Sequence, residues 1–331
     1  MTQISQIIRE PSSKICANLA ICGCFEEIIM SVDSAIGKTP LVELTQMPHN
    51  PRVRLFGKLE GCNPGGSIKD RPAYFMIKHA EETGQLTKDR ILLEATSGNT
   101  GIALAMIGTA KGYQVKLFMP ECVSMERQHI LLAYNAEVVL TPAREGTDGA
   151  IRRSHQLYEE RPDLYYLPDQ YSNEYNVFAH YETTGPEILA QTQGDVDVVV
   201  AGMGTGGTLM GLAKFFHEKK PSVKIVGIEP TIGHTIQGLK NMTESIVPKI
   251  YDAAQLDEKL IMEDGEAFEV TRQLARQEGL FVGMSSGAAV AGALHIAKYL
   301  DAGTIVVILP DRGDRYLSTT LFRSICAKCP P

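Results

Sequence analysis

The strongest constraint on this chain is a rhythm. Short runs of β-branched and aliphatic residues alternate with segments of helical character. "VRLFGKLE" (53–60) reads as a strand, and "RPAYFMIKHAEETG" (71–84) as a helix stopped by glycine. "ILLEA" (91–95), "QVKLFMP" (114–120) and "AEVVLT" (136–141) are further strands. Each precedes a helix: "TGIALAMIGTAKG" (100–112), "SMERQHILLAYN" (124–135) and "DGAIRRSHQLYEE" (148–160). The second half repeats the pattern with "VDVVVAGMG" (196–204), "KIVGIEP" (224–230), "GLFVGMS" (279–285) and "TIVVILP" (304–310). Helices are expected after the glycines near 204, around 264–278 and from 287. Short apolar strands spaced by helices imply parallel sheets covered on both faces. The expected fold class is therefore α/β, with two α/β domains built on parallel-rich twisted sheets covered by helices. Residues 1–33 fit no periodic pattern and read as an appended segment. The expected division places an N-terminal domain at 34–172, a C-terminal domain at 173–325 and a tail at 326–331.

The 331 residues carry a net charge of −7. That balance gives no electrostatic case for nucleic acid or an anionic membrane, and leaves small molecules as the expected partners. No apolar run approaches the ~18 residues of a spanning helix. The stretch Ile15 to Phe25 follows Arg9 and Lys14 and faintly imitates a secretion signal. It lacks a clean small-x-small cleavage site, so a cytoplasmic location is expected. Seven scattered cysteines, an odd number, argue against a disulfide scaffold. Cys22 and Cys24 near one end and Cys326 and Cys329 near the other match no recognised zinc spacing, and no metal is expected.

Sites in parallel α/β sheets form where strand ends meet helix starts. Three such junctions stand out. In "NPGGSIKDRP" (63–72), turn residues place Lys69 on a tight loop that feeds a helix. A lysine held in a dry pocket has a lowered pKa and can form a Schiff base; the bland alternative is a solvated surface lysine. In "EATSGNTG" (94–101), Thr96, Ser97, Asn99 and Thr100 gather short donors at a helix N-terminus. That suits a carboxylate, and equally a simple helix cap. In "GMGTGGTLMG" (202–211), Gly204, Thr205, Gly206, Gly207 and Thr208 form a glycine-rich loop able to wrap a monophosphate. It is not a Walker loop, and it is a poor dinucleotide fingerprint. The two central glycines are expected to allow close backbone approach or a left-handed turn. Ser285 and Ser286 stand at an expected strand end, and "LPDRGDRYLS" (309–318) closes the last strand. A Schiff-base lysine, a phosphate cup, a carboxylate site and a strand-end serine together suggest pyridoxal 5′-phosphate (PLP) as cofactor.

"NPGGSIKDRPA", "EATSGNTGIALA", "GMGTGGTLMG", "EGLFVGMSSGAAVAGAL" and "DRGDRYLST" resemble the cysteine synthase / cystathionine β-synthase family, the fold-type II PLP enzymes. The resemblance runs from about Ile36 to Phe322 and is nearest to the cysteine synthase B type. It implies a cofactor in the cleft between two domains and a homodimer. It also implies roles. Lys69 holds PLP covalently. Asn99 meets the ring hydroxyl, Gly204 to Thr208 the phosphate, and Ser285 the pyridine nitrogen. Thr96, Ser97, Thr100 and Gln170 hold the substrate carboxylate. The implied reaction replaces the β-substituent of O-acetyl-L-serine or O-phospho-L-serine with sulfide or another sulfur donor, through an aminoacrylate intermediate, to give L-cysteine. A cystathionine β-synthase, a serine/threonine dehydratase or a diaminopropionate-type synthase of the same family remain alternatives, as does a catalytically idle interaction protein. In the polar stretch "TIGHTIQGLKNMTESIVPKIYD" (231–252), Lys240, with His234 nearby, is the candidate to meet a substrate anion. The competing reading is an exposed loop lysine.

Overall fold

The computed structural model describes residues 31–47, 50–96 and 98–322. The cysteine pairs at the two ends and Ser97 lie outside the described residues. Two sheets organise the chain. The larger has six strands in the order β1-β2-β10-β7-β8-β9: β1 (Leu41–Glu43), β2 (Val53–Leu59), β7 (Val198–Gly202), β8 (Lys224–Pro230), β9 (Glu258–Met262) and β10 (Gly303–Leu309). The smaller has four, in the order β5-β4-β3-β6: β3 (Ile91–Ala95), β4 (Val115–Pro120), β5 (Glu137–Thr141) and β6 (Tyr165–Tyr166). Every pairing is parallel except that of β1 with β2.

Strand β10 shows why these runs are strands. Ile305, Val307 and Leu309 enter one core cluster, while Val306 and Ile308 enter the cluster on the opposite face. The two-residue period of a strand puts successive side chains on opposite faces, so an uninterrupted β-branched run suits a sheet buried on both sides. Strand β3 does the same in the smaller sheet, with Leu92 on one face and Leu93 and Ala95 on the other.

The helices are α1 (Asp70–Glu82), α2 (Asn99–Lys111), α3 (Met125–Ala133), α4 (Gly146–Glu160), α5 (Glu174–Ala179), α6 (Gly185–Gln191), α7 (Gly207–Lys219), α8 (Asp264–Gln277) and α9 (Met284–Tyr299). A five-residue π-helical turn, His180–Thr184, joins α5 to α6. Helices α2 and α9 are apolar nearly all round and buried along most of their length, as a helix between layers must be.

Two features differ from the sequence reading. The division at residue 172 placed 34–62 with the first domain, yet β1 and β2 are hydrogen-bonded into the sheet of the second half. Strand β2 aligns residue for residue with β10, from Val53 opposite Gly303 to Leu59 opposite Leu309. No local pattern could report a pairing across that much chain. Second, "GLFVGMS" is not a strand. Only a single bridge joins Val282 to Arg312, and α9 begins at Met284. Both sides of β10 are already taken by β2 and β7, so the short run between Gly279 and Gly283 finds no open ladder.

Candidate active site

The parallel pairing sends the C-terminal ends of β2, β7 and β10 to one edge of the larger sheet, where the following loops meet. The loop after β3 faces them. One pocket is lined by Lys69, Thr96, Asn99, Thr100, Gln170, Gly204, Thr205, Gly206, Thr208, Lys240 and Ser285. The structure thus brings together in one pocket most of the residues singled out by sequence. Ser97 is not described, and Gly207 stands behind the loop.

Lys69 is the N-cap of α1. Its Nζ donates to Thr205 Oγ1 at 3.2 Å. Burial lowers its pKa to about 8, opposed by the carboxylate of Glu94. A lysine with one hydroxyl neighbour and a lowered pKa is a nucleophile, unlike a solvated surface lysine.

The glycine loop follows β7 and opens α7. Gly206, the N-cap, has φ +88°, the left-handed region that favours glycine. A Cβ on Gly204 would stand 2.7 Å from the carbonyl oxygen of Gly238. Gly207 needs glycine for a different reason from Gly206: a Cβ there would lie 2.1 Å from Asn176 Oδ1. The loop therefore presents backbone to the pocket at the start of a 13-residue helix, where N–H groups and the helix dipole favour an anion. Behind it, His180 is buried on the π-helical turn, with Nε2 3.3 Å from Thr208 Oγ1 and Nδ1 2.9 Å from Thr184 Oγ1. Burial holds its pKa well below the ordinary value, so the ring beside the anion site is neutral.

The loop after β3 is closely tied. Thr96 Oγ1 accepts from the N–H of Gly98 at 2.9 Å and of Gly101 at 3.2 Å, so this hydroxyl does cap the helix start. Its own proton stays available to a ligand. Thr100 Oγ1 donates to Gln170 Oε1 at 2.6 Å, and Gln170 Nε2 donates to Ala95 O at 3.0 Å. Glu94 accepts from the N–H of Ala95 and of Gln170. Burial, and then the charge of Asp169, raise its pKa to about 8.

Asn99 is held from both ends of its amide. Nδ2 donates to Asp311 Oδ2 at 2.6 Å, and Oδ1 accepts from Arg315 Nη1 at 2.5 Å. Tyr316 donates to the same Asp311 oxygen at 2.6 Å. The "DRGDRY" stretch is thus the fixture that orients Asn99, leaving one amide hydrogen for the pocket. Ser285 lies in the first turn of α9, not at a strand end, and is buried against the pocket.

Sequence reasoning missed several residues here. Arg127 lines the pocket from α3, with its guanidinium 4.5 Å from the Tyr316 ring centroid and hydrogen-bonded to Gln237. Tyr171 and Thr147 also face it. A lone arginine on an amphipathic helix has no local signature. Lys240 is buried, not exposed, and its Nζ is 2.8 Å from Asp148 Oδ1. His234 stands apart from the inner pocket, on an outer cleft that shares Lys240 with it.

Can these residues hold PLP? A nucleophilic lysine, a glycine-rich backbone loop at a helix N-terminus, an oriented amide and a neutral serine share one pocket. The fit is good, and it defines a fold-type II PLP enzyme. The family model for pyridoxal-phosphate dependent enzymes matches residues 32–311, and the chain belongs to that family. Within it, the chain groups with the cysteine synthases, nearest the B type. It is 44% identical over 292 residues to cysteine synthase B of Pseudomonas aeruginosa, covering 88% of this chain and 97% of the relative. The solved cysteine synthase of Entamoeba histolytica superposes with TM-score 0.85 at 36% identity, covering 91% of this chain and 93% of that one. An O-acetylserine dependent cystathionine β-synthase from Helicobacter pylori superposes with TM-score 0.83 at 38% identity, covering 89% and 99%.

Proposed function

We propose that this enzyme converts O-acetyl-L-serine and sulfide to L-cysteine and acetate, with PLP carried on Lys69. The observation that carries the reading is Lys69 itself. Its amine, at a pKa of about 8, shares a pocket with the backbone cradle of Gly204 to Thr208 and with the polar cluster of Thr96, Thr100 and Gln170. Gly204, Thr205, Gly206 and Thr208 hold the cofactor phosphate, Gly207 keeps that loop clear of Asn176, Asn99 meets the ring hydroxyl, and Ser285 takes the pyridine nitrogen. Bound there, PLP supplies an electron sink at the substrate Cα, and a neutral serine partner makes that sink a mild one.

The chain's own residues do the rest. Thr96, Ser97, Thr100 and Gln170 grip the substrate carboxylate and fix the amino acid in the pocket. Lys69 Nζ, partly unprotonated near pH 8, takes the proton from the substrate Cα. Acetate then leaves Cβ with its electron pair, hydrosulfide forms the new bond to Cβ, and the proton held on Lys69 Nζ returns to Cα. Lys240 and His234 belong to the outer part of this path. We place the activity in a homodimer and in the cytoplasm. The second assignment rests on Cys62 and Cys122, free and exposed thiols that suit a reducing compartment.

Borohydride reduction of the holoenzyme, followed by peptide mapping, tests the assignment. A phosphopyridoxyl label on Lys69, and L-cysteine from O-acetyl-L-serine plus sulfide, are the expected results. Label on another lysine removes Lys69 from its role. The structural likeness to a cystathionine β-synthase makes homocysteine the competing nucleophile to try. Faster turnover with homocysteine than with sulfide would favour that second reading.

A further inference from the structure

Lys240 lines both the inner pocket and the outer cleft beside it, and it is not a free charge. Its Nζ lies 2.8 Å from Asp148 Oδ1, with only 10% of the lysine side chain and 22% of the aspartate side chain exposed. The other carboxylate oxygen, Oδ2, accepts from the N–H of Ile246 at 2.9 Å. One carboxylate in the first turn of α4 therefore grips the 231–252 loop at two points and cancels the charge of its lysine. Lys240 belongs to the wall between the inner pocket and an outer cleft of about 600 Å³. That cleft is no anion funnel either: its lining carries Glu145, Asp148 and Glu244 as well as Arg144 and Lys240.

We propose that Asp148 is a specificity-determining residue, which selects a neutral ester leaving group over a phosphate by neutralising Lys240 at the pocket mouth. The proposal rests on the cysteine synthase reading above. O-Acetylserine has an uncharged leaving group. A phosphate monoester carries about −1.5 to −2 charge. In a partly dry cleft a dianion needs an uncompensated cation, because an ion pair offers it an attraction and a repulsion of similar size. Here it would meet Lys240 already paired and Asp148 beside it. The expectation drawn from sequence, that Lys240 meets a substrate anion, thus depends on a residue 92 positions away in the chain.

Asp148→Asn removes the charge and the grip on Lys240 but keeps the other hold on the loop, because its one amide oxygen still accepts from Ile246 N–H. The holoenzyme and this variant are assayed with sulfide and either O-acetyl-L-serine or O-phospho-L-serine. The ratio of kcat/KM for the phosphate over the acetate ester is expected to rise at least ~10-fold in Asp148→Asn, mainly through KM, as one unscreened charge in such a cleft allows. Inorganic phosphate should bind holo Asp148→Asn about 10-fold tighter by titration calorimetry. Adding Lys240→Met to Asp148→Asn should erase both gains. An unchanged ratio, or a gain that survives Lys240→Met, overturns the proposal. So does Asp148→Ala lowering both esters alike while Asp148→Asn changes neither, since that marks loop support alone. Wild-type holoenzyme making cysteine from neither ester would overturn the parent activity, while the phosphate titration would still decide whether Asp148 masks Lys240.

Discussion

Gly207→Ala turns the description of the phosphate loop into a number. A Cβ at this position would sit 2.1 Å from Oδ1 and 2.4 Å from Cγ of Asn176. Asn176 is fully buried and cannot swing aside. Its Nδ2 donates to Gln170 O at 2.7 Å and to Thr205 Oγ1 at 3.0 Å. Displacing the amide strips both contacts. Each buried group left unpaired costs about 1–3 kcal/mol, so the two lost contacts together predict a loss of ~2–6 kcal/mol. At roughly 2 °C per kcal/mol for a chain of this size, the melting temperature should drop by ~4–12 °C. The cost also reaches the cofactor, because Thr205 accepts from Lys69 and lies in the anion cradle. Two assays read it: thermal unfolding of the holoenzyme, and PLP titration of the apoenzyme by its absorbance. In an Asn176→Ala background the same alanine meets no amide and should cost much less, a coupling that a double-mutant cycle measures directly. Wild-type melting and PLP affinity in Gly207→Ala would refute the packing argument. Equal costs in both backgrounds would show that Asn176 is not the obstacle.

Two further predictions concern protons. With Lys69 at a pKa of about 8, the neutral amine becomes abundant above pH 8, so the rate of PLP reconstitution should rise with a midpoint near 8; a rise continuing towards the ordinary lysine value of 10.5 would contradict the burial effect. Glu187 is pushed up by burial but pulled down to about 2 by hydrogen bonds from Arg71 and Lys58, so its contribution to stability is full above about 4.5 and is lost as pH falls towards 2. The stability gap between wild type and Glu187→Gln should therefore be constant near neutrality and close on acidification, and a gap independent of pH down to 2 would show that the ion pairs are not its source.

Much of this molecule is written locally. Strands "ILLEA" and "KIVGIEP" coincide with the observed elements, because their β-branched and aliphatic residues serve a sheet buried on both faces wherever it forms. The junctions holding Lys69, Thr96 and the Gly204–Thr208 loop are legible for the same reason: turn glycines and helix-start residues act within a few positions of themselves. What the sequence could not report is who meets whom. "GLFVGMS" has strand composition but no free partner strand, because β10 is flanked by β2 and β7. Asn99 is oriented by Arg315, 216 residues away. Lys240 reads as a loop lysine until α4 brings Asp148 against it. Those choices belong to long-range packing. A carboxylate four turns of sequence away and one across a cleft look identical in a string, and only the folded chain decides which of them a buried charge must find to offset its desolvation.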